Sequence, residues 1–508
     1  MRSVRSTPIQ KRPAVPSPLP HRPVPAPIPS GFRIRLHHSV RVWARGSVVA
    51  GGSPWRLSRL SPPMAALVRS VRDPALRRAG LSIESPHDRA MARSLLDRGL
   101  VEPASPMVAS DQVGERGVVD VVVPARDQPE NVRALLQSVS GHRMIVVDDG
   151  SEHPAPLRAV AHGAGADLVV HEVNRGPSFA RNTGLASSTS PYVALIDSDC
   201  IATATWIDQL LPHFDDPAVA VAAPRIVPLS GSDTVIDRFE ETCSALDMGI
   251  RSELIRPGSR LGFVPSAAMV IRRSALGSSG FDEDLRLGED VDLVWRLSDA
   301  GWLIRYDPTA VVYHRTRAAW RSWIRRRFDY GTSAADLEAR HPGRLVPARV
   351  SSWNLVVLGL LATGRPRWAG AVAGAAGALL WWEVRKLPQP SLIAARVVGQ
   401  GVLADAAAVG HLLRREWWPV GAVTLIAASR SRAARVVAAT MLVPVALEWL
   451  SRRPRLDPIT YASLRLLADA TYGSGVLVSS LRGRTVRPLV PRVRLPRVPF
   501  RKGASHSR

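Results

Sequence analysis

The chain has 508 residues, 46% of them apolar, which excludes a wholly disordered protein and leaves room for two or three domains. Its net charge of +24 belongs mainly to its ends, because residues 1–60 and 480–508 together contain 20 Lys or Arg and no acidic residue. Two cysteines, Cys200 and Cys243, are too few for a disulfide framework, which favours a reducing cytoplasm.

Both ends of the chain are predicted to be disordered and basic. Residues 1–30 alternate Pro with Arg and small residues, and residues 481–508 are again rich in Arg. No aromatic residues stand among the N-terminal arginines to stack on bases, so we expect no nucleic-acid partner. No apolar segment follows the first arginines, so no secretory signal is predicted.

Residues 31–110 predict a small α+β domain. Alternating residues at 32–36 and 40–43 and the run 47–50 predict three strands, and two stretches with helical spacing follow. This order resembles the winged-helix domains that recognise peptides beside enzymes that modify ribosomally made peptides. An accessory packing domain is the alternative.

Four motifs in the next predicted domain, residues 117–335, are expected to meet at one edge of a sheet. In three of them a short run of Val, Ile or Leu ends in Asp, Gly or Pro, which is typical of buried parallel strands that open onto a ligand crevice. The motifs are residues 119–127, 144–151, 174–184 and 192–199.

The first three motifs predict a nucleotide site. Pro124 ends the first strand, and Arg126 follows in a loop where a base could stack and hydrogen-bond. Asp149 in the Asp-Asp-Gly-Ser turn can accept a hydrogen bond from an imide N–H. Arg175 and Arg181 lie near a predicted helix N-terminus, a placement that suits a diphosphate.

The fourth motif, Asp197-Ser-Asp199, follows a predicted strand about 50 residues after the Asp-Asp-Gly-Ser turn. Two carboxylates at a strand end can divide their roles, one binding a ribose hydroxyl and the other a hard divalent cation. The strand before them and the spacing make chance a poor explanation of the pair.

These four motifs, with Gly288–Arg296 further on, resemble the family 2 glycosyltransferases of GT-A fold, which are α/β enzymes with a mixed, mostly parallel sheet. The resemblance implies a nucleotide-diphosphate sugar as donor and inversion at the anomeric carbon. It also implies that Asp149 contacts the base, Asp197 the ribose, and Asp199 a Mn²⁺ or Mg²⁺ ion on the diphosphate. Arg181 then takes the place of a basic residue that binds the nucleotide.

A second acidic segment is expected to supply the catalytic base. An acceptor hydroxyl is a weak nucleophile, and a carboxylate that takes its proton accelerates attack by roughly 10²- to 10⁴-fold. The resemblance implies Asp290 in that role, with Glu289 and Asp292 as alternatives. Asp292 has a purely structural interpretation too, as the cap of the following helix.

Further candidate contacts come from residues 310–331. His314, at a predicted strand end, either completes the metal site or touches the diphosphate, although a lone His is often structural. Arg326 and Arg327 are candidates, like Asp292, for contact with the diphosphate or acceptor, in a segment that resembles the arginine-aromatic segment of the family. Ile324 replaces the Gln of processive enzymes, so processive synthesis is not predicted.

Residues 351–480 predict short helices in a region rich in Ala, Val, Leu and Trp. Its apolar runs each fall short of the ~20 residues that a spanning helix needs, and Arg396, Asp405 and Arg435 are predicted to interrupt the rest of the region. Trp at the ends of runs and Arg between them favour association with the cytoplasmic face of the cell membrane. A soluble helical domain of a cytoplasmic protein is the alternative.

The order of regions resembles the mycofactocin-system glycosyltransferases of actinobacteria. That resemblance implies transfer of glucose from UDP-glucose, in β-1,4-linked chains, to a peptide-derived small-molecule acceptor, the redox cofactor mycofactocin or its precursor. Transfer to an envelope lipid or polysaccharide is the first alternative, and a non-catalytic membrane-bound binding module the second. A dinucleotide oxidoreductase is disfavoured because no Gly-x-Gly-x-x-Gly follows the first strand.

Overall fold

The computed structural model describes residues 18–24, 26–43, 46–76, 79–104, 119–316, 319–387 and 389–495. Within them the chain divides into two compact units. Unit 1 comprises Met1–Ile34, Arg78–Ile226 and Met248–Tyr313. Unit 2 comprises Arg35–Arg77, Val227–Asp247 and His314–Arg508. The domain limits predicted from the sequence stay predictions.

The N-terminal elements contribute to both units. They are β1 (Phe32–Leu36), β2 (Arg41–Trp43), β3 (Val48–Gly51), β4 (Arg56–Arg59), α1 (Pro62–Val71), β5 (Leu81–Ile83), α2 (Pro86–Asp97) and β6 (Val101–Pro103). The strands form two three-stranded sheets, β5-β1-β6 and β2-β3-β4. The sheet β2-β3-β4 and α1 belong to unit 2, whereas β5, α2 and β6 belong to unit 1. The predicted role of 31–110 in peptide recognition stays a prediction.

Part of the predicted N-terminal arm packs within unit 1. Residues 1–17 lie outside the described residues, but Ile28 is fully buried. Arg22 donates from Nη1 to Oδ1 of Asp97 at 2.8 Å, and Trp302 donates from Nε1 to the carbonyl oxygen of Pro20 at 2.8 Å. The burial of Ile28 and these two hydrogen bonds hold the described part of residues 18–30 against the rest of unit 1.

Unit 1 contains most of the sheet predicted from the motifs, and two strands of that sheet end in residues that belong to unit 2. The elements from residue 119 onward are β7 (Val119–Ala125), α3 (Pro129–Ser138), β8 (Arg143–Asp149), α4 (Pro154–Gly163), β9 (Asp167–His171), α5 (Pro177–Ser187), β10 (Tyr192–Ile196), β11 (Cys200–Ala202), α6 (Trp206–Leu210), β12 (Val219–Leu229), α7 (Val235–Cys243), β13 (Glu253–Ile255), β14 (Ala268–Arg272), α8 (Glu289–Asp299) and β15 (Leu303–Arg315).

The sheet order is β11-β15-β12-β14-β10-β7-β8-β9, with β13 paired to β15. Strands β10, β7, β8 and β9 run parallel, whereas β14 is antiparallel to both β10 and β12. The mixed α/β sheet expected from the GT-A resemblance is therefore confirmed, with its parallel pairs in one half. Because β7, β8 and β10 are parallel, the residues after them meet at one edge. The register pairs Ile196 with Ala268, which brings the segment before β14 beside Asp197.

The rest of unit 2 is mainly helical. Its elements after residue 316 are α9 (Trp320–Thr332), α10 (Ala334–Arg340), β16 (Arg349–Ser351), α11 (Ser352–Ala362), α12 (Pro366–Val384), α13 (Pro390–Arg414), α14 (Trp418–Ala427), α15 (Arg432–Arg452), α16 (Pro458–Arg482) and β17 (Arg492–Arg494). Strand β17 pairs in parallel with β16, so residues 492–494 of the predicted C-terminal tail form a strand. Residues 496–508 of that tail lie outside the described residues.

Two helices of unit 2 are longer than the sequence predicted. Helix α13 has 25 residues and α15 has 21, and both are long and apolar enough to cross a membrane. The prediction of short helices is wrong for these two. Arg396, Asp405 and Arg435 lie within continuous helices instead of interrupting them.

Candidate active site

Three elements of unit 1 bring four predicted residues together at the carboxyl edge of the sheet. Asp197 follows β10, Arg181 lies in the second turn of α5, and Glu289 and Asp290 begin α8. Gly184 lets α5 lie close to β7, because a Cβ there would stand 2.2 Å from Cγ1 of Val122. We call Arg181, Asp197, Glu289 and Asp290 the carboxylate centre.

Arg181 links Asp197 to Glu289 in the acidic segment at the start of α8. It donates from Nη2 to Oδ1 of Asp197 at 2.6 Å and from Nη1 to Oε1 of Glu289 at 2.9 Å. Its side chain is 4% exposed. Burial acts to lower the pKa of the Arg181 guanidinium, but Asp197, Glu289 and Asp290 outweigh it and raise that pKa above its ordinary value. Arg181 is therefore a fixed positive charge inside the centre.

Asp290 lies in the acidic segment at the start of α8, and it is the acid of that segment whose protonation changes near neutral pH. Its Oδ1 accepts from the backbone N–H of Val291 at 2.8 Å, and its Oδ2 lies 3.4 Å from the backbone nitrogen of Ser266. Burial and the negative charge of Glu289 raise the pKa of Asp290 to about 7, although Arg181 acts in the opposite direction. A carboxyl with such a pKa suits a general base.

The other two acids of this segment are already paired. Glu289 accepts from Arg181, and Asp292, which is 1% exposed, accepts from Nε of Arg296 at 2.7 Å. Asp292 does not cap α8, because the N-cap is Gly288 in the left-handed region at φ +80°. Asp290 is thus the remaining candidate for the base among the three.

The carboxylate of Asp149 is enclosed by the loop that follows β9. Its Oδ1 accepts from the backbone N–H of Arg175 at 3.0 Å and lies 3.0 Å from Nδ1 of His171. Its Oδ2 accepts from Gly176 N at 2.8 Å and from Nδ2 of Asn174 at 3.0 Å. The predicted contact of Asp149 with a base stays a prediction, but both carboxylate oxygens are engaged by the protein.

The loop after β7 holds the remaining predicted nucleotide contacts. Pro124 lies inside β7, one residue before its end, and the side chain of Arg126 is 47% exposed. Asp127 ties this loop to the one after β8, because its N–H donates to Oγ of Ser151 at 2.7 Å. Asp127 and Gln128 have positive φ angles of 56° and 52°, uncommon for residues other than glycine. Arg126 is thus presented from a fixed backbone.

In the turn after β10, Asp199 is the residue that suits a divalent cation. Asp199 is partly exposed, and Asp197 is paired with Arg181. Burial, with the charges of Asp197 and Asp199, raises the pKa of the neighbouring Cys200 thiol well above its ordinary value, so Cys200 offers no thiolate. A single carboxylate, completed by phosphate oxygens and water, suits Mg²⁺ or Mn²⁺.

His314, Arg326 and Arg327 line one cavity of unit 2, with a volume of about 50 Å³. Arg327 pairs with Glu240, and its guanidinium carbon lies 4.6 Å from the ring centre of Trp323. Among the described residues, the Arg326 side chain has no hydrogen bond or ion pair. Glu240 lies in α7 and holds the Arg327 guanidinium in place. The sequence did not predict it as a residue of the site.

Sequence reasoning also missed the positioning contacts of Ser266 and His171. Ser266 precedes β14, with Oγ 3.4 Å from Oε1 of Glu289. His171 ends β9, with Nε2 3.0 Å from Oγ1 of Thr183. The run of small residues before β14 was a usable signal for Ser266. No pattern signalled His171.

Comparison with known proteins gives one family and related chains. Residues 120–278 match the family model described as glycosyl transferase family 2. The chain is 37% identical over 480 residues to the pre-mycofactocin glycosyltransferase of Mycobacterium tuberculosis (strain ATCC 25618 / H37Rv), covering 92% of this chain and 99% of that one. It is 30% identical over 191 residues to the succinoglycan biosynthesis protein ExoU of Rhizobium meliloti, covering 35% and 56% of the two chains.

Among solved structures, the mannosyltransferase PcManGT from Pyrobaculum calidifontis, in complex with GDP-Man and Mn²⁺, is 17% identical to this chain. The match covers 65% of this chain and 88% of that one, with a TM-score of 0.34. A score this low supports no inference about ligands.

Proposed function

The chain belongs to glycosyl transferase family 2, among the pre-mycofactocin glycosyltransferases, and from that membership we propose that it transfers glucose from UDP-glucose to mycofactocin or its precursor. Repeated transfer would build a β-1,4-linked oligoglucose chain on this peptide-derived acceptor. The observation that carries the proposal is the extent of the similarity, which covers 92% of this chain and 99% of the relative. The regions on both sides of the catalytic sheet are therefore shared as well.

The proposed chemistry is one in-line displacement with inversion. The acceptor oxygen attacks the anomeric carbon, the bond from that carbon to the diphosphate oxygen breaks, and UDP leaves with the electron pair. Asp290 takes the proton from the acceptor hydroxyl, a contribution of roughly 10²- to 10⁴-fold. Its raised pKa and its partial exposure support this role.

The other groups of the centre position the donor. Arg181 pairs with both Glu289 and Asp197, which keeps Asp197 beside the proposed ribose site and Glu289 beside Asp290. Asp199 would supply a carboxylate oxygen to Mn²⁺ or Mg²⁺, which stabilises charge on the diphosphate when bound. Pro124 and Arg126 stay the proposed contacts for the base.

The cavity of unit 2 is proposed to contact the diphosphate or the acceptor. Arg326 is the group best suited to an anion there, because it lacks a protein partner among the described residues, whereas Arg327 is held by Glu240. His314 is proposed as a further metal or diphosphate ligand. Asp292 is less suited to any ligand contact, since it is buried and paired with Arg296.

We propose that unit 2 associates with the cytoplasmic face of the cell membrane. Helices α13 and α15 are long and apolar enough to span a bilayer, and only 11% and 22% of their apolar windows are buried. Large side chains in or near them are exposed, such as Leu403 of α13 at 73%, Trp368 at 65% and Ile426 at 71%. This apolar surface also favours the second candidate function, transfer to a lipid-linked acceptor of the cell envelope.

The test is a transfer assay with the purified full-length chain and Mn²⁺. UDP-glucose, UDP-galactose and GDP-mannose are each offered with the mycofactocin precursor or with a polyprenyl phosphate, and product masses are measured. We expect successive hexose increments on the precursor with UDP-glucose. Product on the polyprenyl phosphate alone would establish the second candidate instead. No product on either acceptor, with each donor left intact, would contradict both.

A further inference from the structure

We propose that two turns of unit 2 bind the phosphate groups of anionic lipids. The first turn, residues 363–367, connects α11 to α12, and the second, residues 428–435, runs from the end of α14 into α15. Their basic residues, which we call the arginine edge, are Arg365, Arg367, Arg430, Arg432 and Arg435. Such binding supplies the lipid specificity of the proposed membrane association, on which this inference rests, and involves neither the sugar donor nor the acceptor.

The two turns lie side by side in unit 2. A Cβ on Gly364 would stand 3.4 Å from Nη1 of Arg432 and 3.6 Å from its Cζ, so the Arg432 guanidinium lies next to the first turn. Within the second turn, Nη1 of Arg435 donates to the carbonyl oxygen of Ala428 at 3.4 Å. The arginines of both turns therefore belong to one part of the surface, although the turns are more than 60 residues apart in the chain.

The positive charge of the arginine edge has no acidic counterpart nearby. Residues 352–382 and 417–447 contain no Asp, Glu, Lys or His, so the five arginines are the only charged residues there. All five are exposed, and none has an acidic partner among the described residues. By contrast, the exposed Arg325 and Arg455 of unit 2 are paired with Asp329 and Glu241. Like charges held together repel one another, so an anion bound at the edge would relieve that repulsion.

Large apolar side chains border the arginine edge. Trp368, in the first turn of α12, is 65% exposed, and Val423 and Ile426 of α14 are 66% and 71% exposed. A bilayer surface offers phosphate groups to arginines and, just beneath them, an apolar layer to such side chains. A nucleic acid would leave Val423 and Ile426 in water, and a second copy of the edge would bring like charges together. An anionic lipid surface is therefore the partner that fits both features.

The second half of α15 belongs to the core of unit 2. Val445 packs in one buried cluster with Phe239 of α7 and Tyr461 of α16. Arg432 and Arg435 stand at the opposite end of the helix, in its first turn. With one half in that core, α15 reaches lipid through its first turns. Docking by the arginine edge is thus peripheral, and salt should weaken it by screening the charges.

The test is flotation of the purified full-length chain with vesicles of phosphatidylcholine, alone or mixed with phosphatidylglycerol, at low and high NaCl. Two variants remove the arginine edge one turn at a time: a triple variant, Arg430→Gln/Arg432→Gln/Arg435→Gln, and a double variant, Arg365→Gln/Arg367→Gln. The control variant removes three surface arginines of unit 2 that are each paired with an acid: Arg238→Gln/Arg325→Gln/Arg455→Gln. Thermal unfolding of all four proteins shows whether the variants are folded.

The wild-type chain should bind the mixed vesicles at least about tenfold more tightly than pure phosphatidylcholine, and high salt should remove the difference. Each arginine at an anionic surface contributes about fivefold at low salt. The triple variant should therefore lose about 10²-fold of its affinity for the mixed vesicles, and the double variant about 25-fold. The control variant should stay within about threefold of the wild type, because its arginines are already neutralised by acids. All three variants should bind phosphatidylcholine as the wild type does.

Equal losses in the triple variant and the control would show a response to net charge alone and would overturn the proposal. Equal, salt-resistant binding of the wild type to both vesicles would overturn it too, while leaving the membrane association in place. Binding to no vesicle would contradict both. Binding of RNA, or self-association, that the triple variant loses while its vesicle binding is unchanged would assign the edge to another partner. Hexose transfer enters none of these outcomes, so failure of the proposed reaction stays distinguishable.

Discussion

Arg181 donates from Nη1 to Oε1 of Glu289 across 2.9 Å, and this contact joins residues 108 positions apart in the chain. Glu289 and Asp292 are each paired with an arginine. Of the three acids at the start of α8, Asp290 is thus the one that has no charged partner at hydrogen-bonding distance among the described residues. We propose that a single arginine thus divides the roles of these adjacent carboxylates.

Replacing Arg181 tests this division. Arg181→Met would leave Glu289 and Asp197 unpaired in a buried site, and we expect kcat to fall by about 10²-fold or more. The positive charge of Arg181 lowers the pKa of Asp290, so its loss should move the acidic limb of the pH profile to higher pH. Arg181→Lys should recover part of the rate, since it keeps the charge without the fork geometry. An unmoved acidic limb in Arg181→Met would contradict this division.

The pH dependence of the wild type follows from Asp290. The base must be deprotonated, and its pKa is raised to about 7, so kcat/KM should fall tenfold per pH unit below about pH 7. Steady-state kinetics between pH 5 and 9 measure this limb. In Asp290→Asn the residual rate should show no such limb. A wild-type rate that is constant down to about pH 5 would contradict the assignment.

Stability of unit 1 depends on a buried ion pair at its N-terminal helix. Arg93 of α2 donates to Asp216 at 2.6 Å, and the Asp216 side chain is fully buried. Removing one partner of a buried pair leaves an uncompensated charge, so Arg93→Met should cost about 3–5 kcal/mol of unfolding free energy. Urea unfolding measures it. Arg133→Ala, at an exposed pair with Glu130, should change stability by less than about 1 kcal/mol.

The position of α9 depends on glycine contacts with α16. A Cβ on Gly331 would stand 2.2 Å from the carbonyl oxygen of Tyr472. Gly331→Ala should therefore shift α9, which carries Arg326 and Arg327, and lower both the unfolding temperature and kcat. Gly377→Ala is the control, because a Cβ there has no atom within 4 Å. If Gly331→Ala and Gly377→Ala had the same unfolding temperature and the same kcat, the contact between α9 and α16 at Gly331 would be unimportant.

The sequence predicted those parts of the site that depend on strand ends. Runs of Val, Ile and Leu predict β7, β8 and β10, and parallel strands necessarily bring the residues after them to one edge. Asp197 and Asp199 are found there for that reason. The mixed sheet and the position of Asp290 at the start of α8 were predictable from the family motifs.

Long-range pairing was beyond prediction from local patterns. The hydrogen bonding of Asp149 depends on backbone N–H groups of Arg175 and Gly176, which no residue type signals. The pairing of Asp292 with Arg296 requires knowing that Gly288, not Asp292, begins the helix. The sequence predicts interruptions at Arg396 and Asp405 because a charge lowers local hydropathy, yet a helix backbone continues through such residues.

The measurement that tests the central claim most directly is proton NMR of the product made from UDP-α-glucose and the mycofactocin precursor. Inversion with Asp290 as the base predicts a new β-anomeric signal with the wild-type chain and none with Asp290→Asn. The Asp290→Asn variant should still bind UDP. An α-linked product, or wild-type rates in Asp290→Asn, would contradict the account.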